Sequence, residues 1–403
     1  MNLQNLKVSA FLAARTIQRG NKGTLLLTIA ITALVFVNLV FQPSILSGIV
    51  ETFDRQSIDF NYGNLVVEPK GDESAIDNVE SLTRKINRIP GVTGTSPRYE
   101  TGATFTWKSK TLNRQVVSFT PSDEVTVTRI HENVIEGEFL SDGDTDQILL
   151  GILLAGETDE TKDKLESLGG VRVGDTVEVT YNNGVVRTYR VKGIVETLSI
   201  GVDSVAYVTN REMASVLGIE DSASTILVRI DEQGAEDKMK RTLQRFGIQE
   251  EIKTFREKAQ GFIGDAVTSF NIINVISIIV SLIITVVVIF IVVFINTVNK
   301  RKQIGILKAI GIDHRIIVNS YVMQVVFIAA CGTVLGLVFI ALITAYLSYS
   351  PLLFPGGPVV PKIEPALILR SIVSLFAVSI VAGYIPAWKT ARENILDAIR
   401  GGT

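Results

Sequence analysis

Cysteine is nearly missing from this 403-residue sequence, which has one, Cys331. With a single cysteine no intramolecular disulfide can form, so any folded domain must rest on its own hydrophobic core. Histidine is almost as scarce, at two residues, His131 and His314. No zinc-ligand spacing or nucleophile–base–orienter arrangement occurs. The phosphate loop G-x-x-x-x-G-K-[ST] is also absent, so the chain is expected not to hydrolyse ATP. No catalytic, cofactor-binding or metal-ligating residue is assigned, and the chain is expected not to be an enzyme. The acidic stretch EGEFLSDGDTD (136–146) lacks the ligand spacing and terminal Glu of an EF-hand and reads as a solvated loop.

Charge, too, is missing from long stretches. Residues 23–50, 266–299, 316–361 and 371–388 contain no Asp, Glu, Lys or Arg. About 20 apolar residues cross a bilayer as a helix, so four such runs predict a multi-pass α-helical membrane protein with four transmembrane helices. The third run is too long for one helix. It ends in SYSPLLFPGGPVVP (348–361), whose prolines and glycines break the helix and return the chain to the fourth span. The first run is too long for a signal peptide, and no small-x-small cleavage site follows it.

Orientation is read from Lys and Arg in short loops. The first 22 residues, the segment 300–315 (Lys300, Arg301, Lys302, Lys308 and Arg315 against Asp313) and the tail (Lys389, Arg392, Arg400) are basic. An even span count puts all three on one side, expected to be cytoplasmic. The expected organisation is a cytoplasmic amphipathic N-terminus (1–22), transmembrane helix 1 (23–50) and an extracytoplasmic domain (51–265). A stalk with transmembrane helix 2 (266–299), a cytoplasmic segment (300–315) and transmembrane helix 3 (316–347) follow. An extracytoplasmic loop (348–365), transmembrane helix 4 (366–387) and a cytoplasmic tail (388–403) complete it.

The outer segment reads as a mixed α+β domain of two subdomains. NLVVEP (64–69) is a strand. Ile76, Val79, Leu82, Ile86 and Ile89 then recur at helical spacing before Pro90-Gly91 ends the helix. Two strands pair around a turn near 110–113, and Asn182-Asn183-Gly184 supplies a second hairpin turn. STILVRI (224–230), a helix with Met239, Leu243 and Phe246 on one face, and IKTF close the domain. One subdomain is expected to join strand–helix–strand units from both ends of the segment. The other is a β-rich insertion around 130–215. FREKAQGFIGDAV, without proline, is expected to continue as one helix into the second span.

NKRKQIGILKAIGIDHRIIVNS (299–320) lies between the second and third spans. Its basic residues suit any inward-facing loop and anionic lipid. GILKAIG adds Ile304, Ile306, Leu307 and Ile310 around Lys308, a short amphipathic helix with Gly311 at its C′ position. Asp313 stands where it would cap the next helix. In the third span CGTVLG places Gly332 and Gly336 on one face, a small-xxx-small spacing suited to close helix packing.

RKQIGILKAIG, the re-entry at DHRII, the small-residue third span and the ending GYIPAWKTARENILDAIRG resemble the permease module of FtsX/MacB-type ABC transporter subunits. GVRVGDTVEV…YRVKGIVET similarly resembles the β-rich part of MacB-like periplasmic domains. One departure is Gln303, where the family commonly has Glu. The resemblance implies four spans per protomer, a second permease protomer in a homo- or heterodimer, and a separate cytoplasmic ABC ATPase that holds ATP and magnesium. It also implies an extracytoplasmic adaptor and membrane lipids as partners, with no nucleic acid. Gly305, Ile306, Leu307, Lys308, Ala309 and Gly311 would form the ATPase-coupling helix. The implied activity is export or extraction of a lipophilic, peptide or lipoprotein substrate. The alternative is a signalling scaffold that activates an extracytoplasmic partner such as a cell-wall hydrolase.

Overall fold

The computed structural model describes residues 3–71, 73–157, 165–259, 262–354 and 357–392. The chain divides into two units, one of residues 1–49, 267–352 and 359–403, the other of 50–266 and 353–358. Two helices come first, α1 (Leu3–Arg19) and α2 (Lys22–Gln56), and a π-helical turn follows at Ser57–Tyr62.

The outer unit continues with β1 (Leu65–Glu68), β2 (Ile76–Asp77), α3 (Val79–Asn87), β3 (Val92–Trp107), β4 (Lys110–Phe119) and α4 (Pro121–Val127). Its central part holds β5 (Val134–Gly137), β6 (Gln147–Gly151), α5 (Ile152–Ala155), β7 (Thr176–Tyr181), β8 (Val186–Val195) and α6 (Ile200–Asp203). It closes with β9 (Ala206–Thr209), α7 (Asn210–Leu217), β10 (Ser222–Ala223), β11 (Thr225–Ile230), α8 (Glu236–Arg245), β12 (Glu251–Thr254) and α9 (Phe255–Ala259).

The long strand β3 organises this unit. Its first half pairs with β11, and its second half pairs with both β4 and β7. On the β11 side the order is β12-β1-β11-β3, all antiparallel neighbours. Each of the two β-α-β units, β1-α3-β3 and β11-α8-β12, is therefore split by a strand of the other, the ferredoxin-like arrangement. Leu65, Val67, Ile86, Ile226, Val228 and Leu243 form its core. On the other side the order is β4-β9-β6-β8-β5, with parallel pairing of β4 to β9 and of β6 to β8. A second core, with Phe105, Ile148, Leu150, Tyr181 and Tyr189, fills this β-rich subdomain.

Where the two halves of β3 meet, Arg98 and Glu124 form a buried ion pair at 2.5 Å. Ser96 and Thr128 also donate to the Glu124 carboxylate. Arg98 donates from its other nitrogen to the Asn61 carbonyl in the π-helical turn at 3.0 Å. These donors hold the Glu124 carboxyl below its usual range despite full burial.

Local details differ from the sequence expectation. Ile76 lies in β2, paired with Ala223, not in the following helix. The β3–β4 turn falls at Trp107–Lys110, where Lys108 takes a positive φ of 54°, and not at 110–113. Phe246 stands at the C-cap of α8, beyond its last turn, and is 54% exposed, so it does not share the buried face of Met239 and Leu243. The acidic loop 136–146 is partly neutralised: Asp144 pairs with Lys192 at 2.5 Å, and Asp142 accepts from the Ser122 amide.

The second unit is built on α2 together with α10 (Phe262–Asn299), α11 (Arg301–Ala309), α12 (His314–Tyr349) and α13 (Pro365–Ala391). Four of these helices are long and apolar enough to cross a membrane. The expected continuity of the stalk depends on residues 260–261, and the distal tail 393–403 carries Arg400; both lie outside the described residues. The break after the third span folds as two short strands, β13 (Leu352–Phe354) and β14 (Gly357–Val359).

Close packing in this unit is set by small residues. A Cβ built on Gly332 would lie 2.8 Å from the Thr32 methyl, and one on Gly336 2.7 Å from Phe36 Cδ1. The two glycines thus admit α2 against α12. Between α2 and α10, Ser281 donates to Asn38 Oδ1 at 2.8 Å and Gln42 Nε2 donates to Ser277 Oγ at 3.0 Å. These pairs satisfy polar side chains where hydrocarbon offers no partner.

Candidate coupling site

The nine-residue helix α11 follows the second span after a break at Lys300. It has two faces. Ile304 is buried in a cluster with Ile289, Val293, Ile317 and Tyr321, and Leu307 packs against the same cluster. Gly305 is buried as well. The opposite face presents Ile306, 54% exposed, and Ile310, 74% exposed, with Ala309 and Gln303 also exposed.

The helix ends in a defined motif. The Gly311 amide donates to the Lys308 carbonyl and the Ile312 amide to the Leu307 carbonyl, each at 3.0 Å. This is the Schellman pattern, and it requires the left-handed backbone that Gly311 adopts at φ +93°. Ile312 and Leu307 both pack on the same cluster, which supplies the apolar contact that accompanies the motif. Two residues later the Asp313 carboxylate accepts from the Arg315 amide at 3.0 Å and caps α12. The turn between the two helices is therefore short and fixed at both ends.

Lys308 lies differently from a surface cation. Its Nζ donates to the Ala391 carbonyl at the end of α13 at 3.0 Å. A helix C-terminus leaves carbonyls without intrahelical donors and carries partial negative charge, so the ammonium satisfies both. Lys308 thereby braces α11 against the last span. α1 adds a further brace, since Ser9 Oγ donates to the Ile316 carbonyl at 3.1 Å and Ala13 is buried.

The sequence models agree with this architecture. Residues 24–246 match the model of the MacB-like periplasmic core domain, and residues 275–395 match that of the FtsX-like permease C-terminal region. The chain belongs to the FtsX/MacB-type ABC transporter permease family. The permease is also 25% identical over 284 residues to an uncharacterized ABC transporter permease of Methanocaldococcus jannaschii, over 67% of this chain. It spans 66% of the length of that relative. Among solved structures it is similar to the extracellular domain of the noncanonic ABC-type transporter YknZ from Gram-positive bacteria. That match has a TM-score of 0.34 and 14% identity, and covers 47% of this chain and 97% of the other. The periplasmic region of MacB from Actinobacillus actinomycetemcomitans gives a TM-score of 0.36 and 13% identity, covering 51% of this chain and 94% of that one. The four apolar helices and the match to a MacB-like periplasmic core domain make the permease a membrane protein with an extracytoplasmic segment.

Of the residues singled out in the sequence, Ile306, Ala309 and the turn at Gly311 lie on the open side of α11. Gly305 and Leu307 face its packed side, and Lys308 reaches the last span. Gly332 and Gly336 lie in the third span and pack against Thr32 and Phe36 of the first, away from this site. The sequence reading assigned no contact role to Ile310, the most exposed of the helix's isoleucines. Its position four residues after Ile306 was the available signal.

Proposed function

We propose that this permease couples a separate cytoplasmic ABC ATPase to movement of its extracytoplasmic domain, and so exports or extracts a lipophilic, peptide or lipoprotein substrate. The observation that carries the reading is α11. It is a short helix braced on the bundle by Ile304, Leu307 and Lys308, with Ile306 and Ile310 left facing out. A helix held on one side and apolar on the other is suited to insertion into a groove of a partner. In this reading the termini and α11 are cytoplasmic, ATP and magnesium reside on the ATPase, and two permease protomers act together.

Replacing Ile306 and Ile310 together with Asp is expected to abolish co-purification of an ABC ATPase from native membranes, with the permease itself still produced and folded. An ATPase recovered in wild-type amount with the double variant would overturn the assignment. Recovery of a cell-wall hydrolase on the outer domain, with no cargo, would instead favour the signalling role.

A further inference from the structure

The outer unit contains a cleft of about 450 Å³ at the junction of its two subdomains, lined from α3, β3, α4, α7 and the loop before β10. That volume falls in the range of small-ligand sites. Its walls are apolar in part, with Val79, Tyr99, Met213 and Ile219. Its floor is rigid: Ser118 donates to Asn210 Oδ1 at 2.7 Å, and Asn210 Nδ2 donates to the Pro97 carbonyl at 3.2 Å and to Thr120 Oγ1 at 3.3 Å.

The charge of the cleft has one sign. Glu80, Asp123, Glu220 and Asp221 line it, and no Lys, Arg or His does. Glu80 meets Arg84 at 3.3 Å on the exposed side of α3, and the Asp221 carboxylate accepts from the Glu80 amide at 2.8 Å. Asp123 and Glu220 have no ion-pair partner among the described residues. Partial desolvation, and after it the neighbouring Asp142 and Glu124, raise the carboxyl of the exposed Asp123 above its usual range. An uncompensated negative potential of this kind is relieved by a bound cation.

The kind of cation follows from the arrangement. No group of three Asp, Glu, His or Cys side chains among the described residues is placed to hold a metal ion. The carboxylates come instead from separate segments around an apolar wall. A point charge is poorly matched to that spread. An extended organic cation, with its ammonium or guanidinium near the rim and an aliphatic body against Met213 and Ile219, matches both features.

We infer that this cleft is a binding site for basic, aliphatic peptide segments, in which Lys or Arg side chains meet Asp123 and Glu220 while neighbouring aliphatic side chains occupy the Val79–Met213–Ile219 wall. The inference concerns binding to the outer unit and does not rest on the coupling proposed for α11.

The test uses the full-length permease in lipid nanodiscs and the fluorescently labelled peptide Leu-Lys-Leu-Lys-Leu-amide, followed by anisotropy. A matched peptide with acetylated lysines controls for partition into lipid, and empty nanodiscs give the background. Saturable binding of the cationic peptide is expected, with the acetylated peptide weaker by about 2- to 30-fold, as two partly exposed charge pairs would give. Asp123→Asn with Glu220→Gln, both surface changes, is expected to reduce affinity to the level of the acetylated peptide. Ala214→Trp, which fills the cleft, is expected to abolish saturable binding, and unchanged thermal unfolding of each variant reports intact folding. Equal binding of the two peptides, or full affinity in the acid-neutralised variant, would overturn the site. ATPase co-purification retained in the α11 variant, with peptide binding intact, would overturn the coupling assignment and leave this inference standing alone.

Discussion

Gly311 gives the most direct test of how α11 is held. Its φ of +93° lies in the left-handed region, and a Cβ built there meets nothing within 4 Å. Replacement by Ala therefore costs no steric clash, only the backbone penalty of an L-residue, about 1–2 kcal/mol. Asn tolerates this region better than Ala, so Gly311→Asn is expected to lose much less. A penalty of that size corresponds to about 5- to 30-fold in the equilibrium between the capped and the opened turn. Hydrogen exchange of the segment 301–313 in nanodiscs reads that equilibrium at the Gly311 and Ile312 amides, the two Schellman donors. Exchange there is expected to rise by about that factor in Gly311→Ala, since local opening sets protection. If the capped turn is what the ATPase recognises, binding weakens in the same order: wild type, then Asn, then Ala. Wild-type exchange in the Ala variant, or equal effects of Asn and Ala, would refute the left-handed cap as the feature that shapes this turn.

Gly336→Val addresses the bundle: its added methyls would meet Phe36, 2.7 Å from the built Cβ, so the variant is expected to aggregate at lower temperature in detergent, whereas Gly143→Ala, with open space around it and no left-handed backbone, leaves that temperature nearly unchanged. Asp203 addresses the outer unit. It is 2% exposed, and burial pushes its carboxyl up to about 6 from 3.8, against the opposing hydrogen bonds from Thr197. Because the folded value is the higher one, the stabilising contribution is complete below about pH 4 and is lost as pH rises to about 6. Asp203→Asn keeps an oxygen for the Thr197 donors and removes the penalty. It is expected to stabilise the outer unit at neutral pH by up to about 3 kcal/mol and to flatten this part of its pH dependence, as thermal unfolding at pH 5 and 7.5 would register. A variant with the wild-type slope between those two values would show that another group carries it.

The features legible in the sequence were those that depend on local periodicity and on the absence of charge. Four uncharged apolar runs can have few fates in water, so the spans followed from composition alone. The helix of residues 79–87 and the strand of 225–230 were visible because one face of each is apolar at the period of its own geometry. Gly311 and Asp313 were legible because helix ends impose chemistry on single positions within a few residues. Family resemblance, carried by the same segments, gave the expectation of a permease.

Other features depended on residues far apart in the chain. The division of β3 between two subdomains required knowing that its first half meets β11 and its second β4 and β7, pairings no local pattern encodes. Glu124 and Arg98 read as ordinary charged residues until tertiary packing buries both and brings Ser96 and Thr128 to the carboxylate. The acidic cleft gathers Glu80, Asp123 and Glu220 from positions up to 140 apart, and only folding places them around one cavity. Lys308 shows the division within a single side chain. The sequence by itself determined that it stands on a short amphipathic helix, whereas the return of the last span decided that its ammonium would meet the carbonyl of Ala391.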